Sequence, residues 1–381
     1  MAHTALVWVQ HLLGSGHLRR ALSLAEALAA SGLGTTVATG GPPMPWPAPP
    51  GVDIVQLPAA RAADDRFASL VDDSGHPPGD EFWRARAGML RDLVERRRPA
   101  VLVTEMYPFG RRAFRHEVMA LLDHAAAVSR PLVVSSVRDV LVDKVRADRW
   151  QEMRDIAVRR FELVLVHGDE RLFPFARTFP HAAAIAERTV HTGFVLGAMP
   201  RPAAEARGCV VVSAGGGAVG RGLIEAALAA RPLTALADRP WLLVAGANLP
   251  QADWDALATA LPAGVSLVRH RHDLPDLIAA AEVSISQAGY NTVAEGLAGG
   301  ARMVLVPFDA AGQDEQRLRA SRLAELGLAE MLTTDRLAPE TLAAAIDRTA
   351  EKPRPDASAF RFDGAGRSAA AILARLRHHA T

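Results

Sequence analysis

Short apolar runs alternate with amphipathic stretches along the whole chain. In the first half the runs are ALVWV (5–9), TTVAT (35–39), VDIVQL (52–57), AVLVTE (100–105), LVVSSV (132–137) and LVLVH (163–167). Such runs, rich in Val and Leu and without polar alternation, suit strands buried on both faces. Between them, apolar residues recur at three- and four-residue spacing over 17–30, 81–97, 111–128 and 144–161, which predicts helices. The second half repeats the scheme. Its runs are CVVVS (209–213), WLLVAG (241–246), VSLVRH (265–270), VSIS (283–286) and MVLVP (303–307). Helical patterns follow over 219–230, 252–261, 274–281, 290–298 and 314–326. Strand–helix–strand repetition implies parallel sheets with right-handed crossovers.

The chain has 381 residues, too many for one ordinary core. LGAMPRPAAEARG (196–208), rich in Pro, Ala and Gly, reads as a linker between the halves. The expected organisation is therefore an α/β domain over 1–196, a linker over 197–207 and a second α/β domain over 208–363. A final helix follows in GAGRSAAAILARLRHH (364–379). PPMPWPAPPG (42–51) cannot be regular structure, because Pro removes backbone donors and fixes φ. Residues 58–79 read as a second long irregular stretch.

Composition narrows the function classes. Hydrophobic residues make up 49% and charged residues 22%, as in a soluble globular protein. The net charge is +1 with acids and bases interspersed, so no basic stripe marks a nucleic-acid binder. The one cysteine, Cys209, has no partner for a disulfide and no zinc-ligand spacing around it. MAHTALVWVQ lacks the pattern of a signal peptide, and no apolar run nears the roughly 20 residues that span a bilayer. A cytoplasmic protein is expected. EFWRARAGMLRDLVERRR (81–98) is either a surface helix packed on its sheet or a helix resting on anionic lipid, which would place the protein peripherally at the inner face of the membrane.

Ligands of open parallel sheets lie beyond the C-terminal strand ends, so chemistry is expected at the strand-to-helix junctions. In HLLGSGHLRR (11–20), Gly14 and Gly16 permit a tight turn and His17 opens the first helix. A neutral imidazole is a natural general base. His17, Glu105, Asp139 and His167 all end or follow first-half strands; His17 is the favoured base and Glu105 the second candidate. In SAGGGAVGRG (213–222), Gly215, Gly217 and Gly220 match G-x-G-x-x-G. The next strand ends in Gly246, Ala247 and Asn248, with no acid for an adenosine ribose, so the loop reads as phosphate-facing without NAD. In SQAGYNTVAEGLAGG (286–300), Gly289 permits the turn and free N–H groups near 289–292 favour an anion. Asn291 and Glu295, four apart, share a helix face. A carboxylate one turn behind a phosphate suits vicinal hydroxyls, as on a ribose. After MVLVPF, the crowd of Gln313, Asp314, Glu315 and Gln316 suits sugar hydroxyls.

Together these residues resemble the GT-B glycosyltransferases, and within them family 28. The resemblance rests on S-x-A-G-x-x-T-x-x-E-x-x-x-x-G (286–300), then V-P-F, then E-Q-x-x-x-A (315–320). TEMYPFGRR (104–112) and SSVRDVL (135–141) are similar to a bacterial group described only as predicted glycosyltransferases. The resemblance implies two Rossmann-like doubly wound domains facing a central cleft, with the last helix (364–381) crossing back to the first. It implies an inverting, metal-independent transfer of a hexose or N-acetylhexosamine from a nucleotide-diphosphate sugar, with UDP the expected nucleotide. Glu295 would hold the ribose hydroxyls, and Gln287, Ala288, Gly289, Asn291 and Thr292 would cradle the diphosphate. Glu315 and Gln316 would contact the donor sugar, and Gly215, Gly216 and Gly217 would lie near the phosphates. Arg271 and His272 would lie by the base, and the loop Gly14–His17 would face the reacting centre. No cofactor or metal is implied, and the acceptor, a small molecule or a lipid-linked one, is left open. Alternatives are a nucleotide-sugar hydrolase, which shares Gly-x-Gly-His-x-x-Arg, an epimerase of the same fold, and a non-catalytic nucleotide-sugar binder.

Overall fold

The computed structural model describes residues 3–12, 14–63, 69–141, 146–215, 220–259, 261–308 and 314–379. They form two compact units. One holds the chain up to Leu141, residues 146–197 and the C-terminal segment from Asp363; the other holds Ala198–Phe362.

The first unit is built on a parallel sheet of seven strands. These are β1 (Thr4–Val9), β2 (Gly34–Thr39), β3 (Val52–Gln56), β6 (Val101–Glu105), β7 (Leu132–Arg138), β8 (Leu163–His167) and β9 (Thr189–His191), in the order β3-β2-β1-β6-β7-β8-β9. The small pair β4 (Ala60–Ala62) and β5 (Leu70–Asp72) is antiparallel and lies in the stretch expected to be irregular. Helices α1 (Gly16–Ala30), α2 (Asp80–Arg97), α3 (Arg115–Val128) and α4 (Ala147–Arg160) make the crossovers. Residues 42–51 hold no helix or strand, as their prolines dictate.

Strand β1 shows why the runs lack alternation. Ala5, Val7 and Val9 join a core with Leu18, Leu22, Leu24 and Leu28 of α1, while Leu6 and Trp8 join a second core with α2 and α3. A strand covered on both faces has no position left for a polar residue. On α2, Phe82, Trp83, Met89, Leu90, Leu93 and Val94 all pack into that second core. The apolar side expected either on the sheet or on lipid is therefore on the sheet.

The second unit holds a parallel sheet of β10 (Val210–Ser213), β11 (Trp241–Val244), β12 (Val265–Val268), β13 (Val283–Ser286), β14 (Met303–Leu305) and β15 (Glu330–Met331), in the order β12-β11-β10-β13-β14-β15. Its helices are α5 (Arg221–Ala230), α6 (Gln251–Thr259), α7 (Leu274–Ala280), α8 (Tyr290–Ala298), α9 (Glu315–Glu325) and α10 (Pro339–Glu351). The chain then returns to the first unit as α11 (Gly364–His379). Ala369, Ile372 and Leu376 of that helix enter the same core as α1. In both sheets the first strand is central and the winding reverses beside it, the doubly wound arrangement. The reversal falls between β1 and β6 in the first unit and between β10 and β13 in the second. Ligands of such sheets bind beyond the strand ends at this reversal.

Candidate active site

In the first unit, the two strand ends at the reversal deliver one side chain each. Glu105 is the last residue of β6, and His17 is the second residue of α1, reached from β1 through the loop containing Gly14. His17 Nδ1 lies 3.0 Å from both carboxylate oxygens of Glu105. Arg20, one helical turn beyond His17, forms an ion pair with Glu105, and its Nη2 lies 3.2 Å from His17 Nδ1. Glu105 is 0% exposed and the His17 side chain 19%. Because a carboxylate only accepts, the hydrogen bond places the proton on Nδ1 and leaves Nε2 with its lone pair.

The loop that carries His17 is held on its far side. Gln10 Nε2 donates to the carbonyls of His11, Gly40 and Ala60, each at 2.9 Å, and Arg111 Nε donates to the Gln10 carbonyl at 2.6 Å. Arg86, fully buried, donates from Nη2 to Gln10 Oε1 at 2.9 Å and pairs with Glu117. A hydrogen-bonded buried network of this kind fixes a single loop conformation.

The electrostatics follow from burial and two nearby arginines, Arg20 and Arg111. Burial and the nearby Arg111 charge push the His17 imidazole down to about 3, against the pull of the Glu105 carboxylate. Burial alone would raise Glu105, but the His17 ring and the Arg20 and Arg111 charges prevail and hold it below the ordinary carboxylate range. At neutral pH the pair is thus a neutral imidazole on an ionised carboxylate. Two other first-half candidates do not join it. His167 is fully buried with both ring nitrogens engaged, Nε2 by Ser136 Oγ at 2.8 Å and Nδ1 by Thr192 Oγ1 at 2.9 Å. Asp139 is buried, and its carboxylate accepts from the Val140 N–H at 2.9 Å.

In the second unit the strand ends at the reversal also meet. Gly215 follows β10 with φ 74°, and a side chain there would come within 3.1 Å of Gln287 Oε1, just beyond β13. Gly216 and Gly217 lie outside the described residues. Gly289 is the N-cap of α8 in an extended conformation and, as a glycine, brings no capping side chain of its own. Such a turn offers its N–H groups and the positive end of the helix dipole to an anion. Val293, Ala294, Gly296 and Leu297 are buried, so Asn291, Thr292 and Glu295 form the half-exposed stripe leading back from that tip.

Helix α9 supports this tip from behind. Gln316 Oε1 accepts from the Ala288 N–H at 3.1 Å and the Phe308 N–H at 3.0 Å. The Ala288 N–H is therefore committed to Gln316. Arg319, fully buried, donates to the Ala288 carbonyl at 2.9 Å and lies over the Tyr290 ring at 6.0 Å. Glu315 opens α9 and is half-buried. Arg271 and His272 follow β12, the sheet edge two strands from the reversal. Arg271 is engaged by Asp273 and Glu205, at 2.7 Å and 2.6 Å, and His272 is exposed.

Sequence reasoning assigned no role to Arg20, Arg111 or Arg319. Arg20 carried a signal, since it lies three residues after His17 and so on the same helix face. Arg319 carried another: it adjoins Ala320 and precedes Leu323 by four, inside the buried stripe of α9. Among the described residues no three His, Cys, Asp or Glu side chains group as metal ligands. Among them, too, no helix is long and apolar enough to cross a membrane.

Comparison with known proteins bears on both units. The glycosyltransferase family 28 C-terminal domain matches residues 210–368. The UDP-N-acetylglucosamine--N-acetylmuramyl-(pentapeptide) pyrophosphoryl-undecaprenol N-acetylglucosamine transferase of an Exiguobacterium species is 31% identical over 156 residues, 40% of this chain and 41% of that protein. The enzyme of the same name from Geobacillus thermodenitrificans is 39% identical over 80 residues, 21% of this chain and 22% of its own. The chain thus spans less than half the length of these curated relatives. Solved structures match over nearly the whole chain. The calicheamicin glycosyltransferase CalG4 has a TM-score of 0.61 at 19% identity, covering 100% of this chain and 97% of its own. Acinetobacter baumannii MurG has a TM-score of 0.56 at 15% identity, covering 98% and 99%. The second unit thus matches the glycosyltransferase family 28 C-terminal domain over residues 210–368, and the chain as a whole has the two-domain GT-B fold of these solved structures.

Proposed function

We propose that the chain transfers a hexose or N-acetylhexosamine from a nucleotide-diphosphate sugar, with UDP as its nucleotide, to a hydroxyl of a small or lipid-linked acceptor. The observation that carries this reading is the His17–Glu105 pair at the first unit's reversal, in a chain whose second unit starts a helix at a glycine N-cap at its own. His17 Nε2 takes the proton of the acceptor hydroxyl as its oxygen attacks the anomeric carbon. The bond from that carbon to the diphosphate oxygen breaks, and its electron pair leaves with the diphosphate. Glu105 stabilises the imidazolium that forms and holds the ring in the tautomer a base needs. With no exposed surface, Glu105 is a positioning residue behind His17, which supports a single inverting displacement over a carboxylate nucleophile.

On the donor side, the first turn of α8 receives the diphosphate and stabilises its charge as it leaves. Glu295, one turn deeper on the same half-exposed stripe, accepts from the ribose hydroxyls. Gln316 has its oxygen fixed on the Ala288 and Phe308 N–H groups, so its amide N–H₂ is the part that addresses the sugar, beside Glu315. Site residues, the UDP preference and independence from metal are tested together. Calorimetry against UDP, dTDP and GDP should rank UDP first. Glu295→Ala should weaken UDP at least about tenfold, the size of one lost pair of charge-assisted hydrogen bonds. Donor turnover should survive a chelator. Full UDP affinity in Glu295→Ala overturns the ribose assignment, and free sugar released without any acceptor makes water the acceptor.

A further inference from the structure

Away from both strand-end sites, the first unit carries a shallow recess between the start of α3 and the face of α4, lined by Tyr107, Pro108, Arg112, Arg115, Arg149, Glu152, Met153 and Ile156. Three features need a ligand to make sense. First, three guanidinium groups surround one carboxylate. Arg112 and Arg115 each reach Glu152 at 3.2 Å, whereas Arg149 is exposed and forms no ion pair among the described residues. The recess so carries two positive charges in excess. Second, Arg115 is the first residue of α3 and Arg149 lies in the first turn of α4, where the helix dipole disfavours cations. Third, the Tyr107 hydroxyl is buried, in a residue 2% exposed, beside the Arg115 guanidinium, and has no acceptor for its proton. Buried hydroxyls are nearly always paired, and leaving one unpaired is costly. Burial also raises the Tyr107 pKa against the pull of the adjacent Arg115, so the phenol keeps its proton and can donate it.

We infer that this recess binds a small phosphorylated molecule, a phosphate monoester whose body is apolar or planar. The two excess charges match a monoester, which carries roughly −1.5 to −2 at neutral pH. Arginines offer it paired donors, and the Tyr107 hydroxyl gains the acceptor it lacks. Pro108, Met153 and Ile156 are the apolar lining that would meet the body. Tyr107 and Pro108 follow Glu105 by two and three residues, so the ligand would lie against the back of the segment that positions His17.

The probe is phenyl phosphate, titrated into the full chain by calorimetry beside inorganic phosphate and phenol. Saturable binding of phenyl phosphate is expected, tighter than inorganic phosphate, with none for phenol. Arg149→Ala and Arg115→Ala should each weaken it at least about fivefold, and Tyr107→Phe should weaken it less. Both arginines are exposed, so the variants keep the fold, which circular dichroism checks. Absence of saturable binding by the unaltered chain, or equal binding by the chain and both arginine variants, overturns the inference.

Discussion

Acid should loosen the first unit before the second, and His167 shows by how much. Its ring is fully buried between Ser136 and Thr192 and is pushed by burial down to about 3 from an ordinary 6.5. The unfolded chain therefore takes up the proton near pH 6.5 while the folded chain refuses it. A group with a depressed folded pKa stabilises fully above its unfolded value, and that stability drains away as pH falls through the window between the two. At pH 5 the drain has run for one and a half units at about 1.4 kcal/mol each, or about 2 kcal/mol. The figure at pH 5 does not depend on how far below 5 the folded value lies. His17, lowered to about 3 for the same first reason, adds a similar amount, and His11 adds in the same direction. Against a typical total of about 5–15 kcal/mol this is a large share. Amide hydrogen exchange of the β7 and β8 peptides at pH 7 and pH 5, corrected for intrinsic rates, reads the first unit alone. His167→Gln keeps a donor and an acceptor for the two hydroxyls but cannot titrate. It should recover about 2 kcal/mol of the loss. Equal losses in the unaltered chain and the variant would refute the reasoning.

Other outcomes test the two strand-end sites. His17→Ala should lower turnover by about two to four orders of magnitude and leave UDP affinity intact, and Glu105→Gln should fall in the same range; an unchanged turnover removes the pair from the chemistry. Because the imidazole stays neutral well below 6.5, the acid limb of kcat/KM should lie below the ordinary histidine range, and a limb at 6.5 would contradict the burial described. Arg319→Met strips the Ala288 carbonyl of its buried donor and should weaken UDP by about 1–3 kcal/mol in calorimetry. Gly299→Ala would bring a methyl within 2.9 Å of Ala279 Cα on α7, and urea unfolding of the second unit should show a loss of about 1–3 kcal/mol.

The sheets were largely legible because buried parallel strands write themselves as apolar runs, and each run named above is a strand. What escaped was short or half-exposed. β9 and β15 have three and two residues at sheet edges, and β4 and β5 have three each, too few for any period to declare itself. Helix α10 is Ala-rich and carried no strand-like neighbour long enough to frame it. The candidate site was legible as parts. His17 and Glu105 stand out singly, each at a strand-to-helix junction. Their union is a product of topology, since 88 residues separate them and only the neighbouring of β1 and β6 brings them together. Gln316 shows the opposite limit. Its motif marks it for sugar contact, yet half of its amide is spent on two backbone N–H groups, which no spacing rule reveals.

Helix α11 gives the molecule an order of assembly. Its Ala369, Ile372 and Leu376 complete the apolar layer over α1, so a ribosome must finish the entire second unit before the first can close. Until then a nascent first unit leaves that layer open to water and to chaperones. Clipping the chain near residue 363 should therefore damage the half that was made earliest, and spare the one next to the cut.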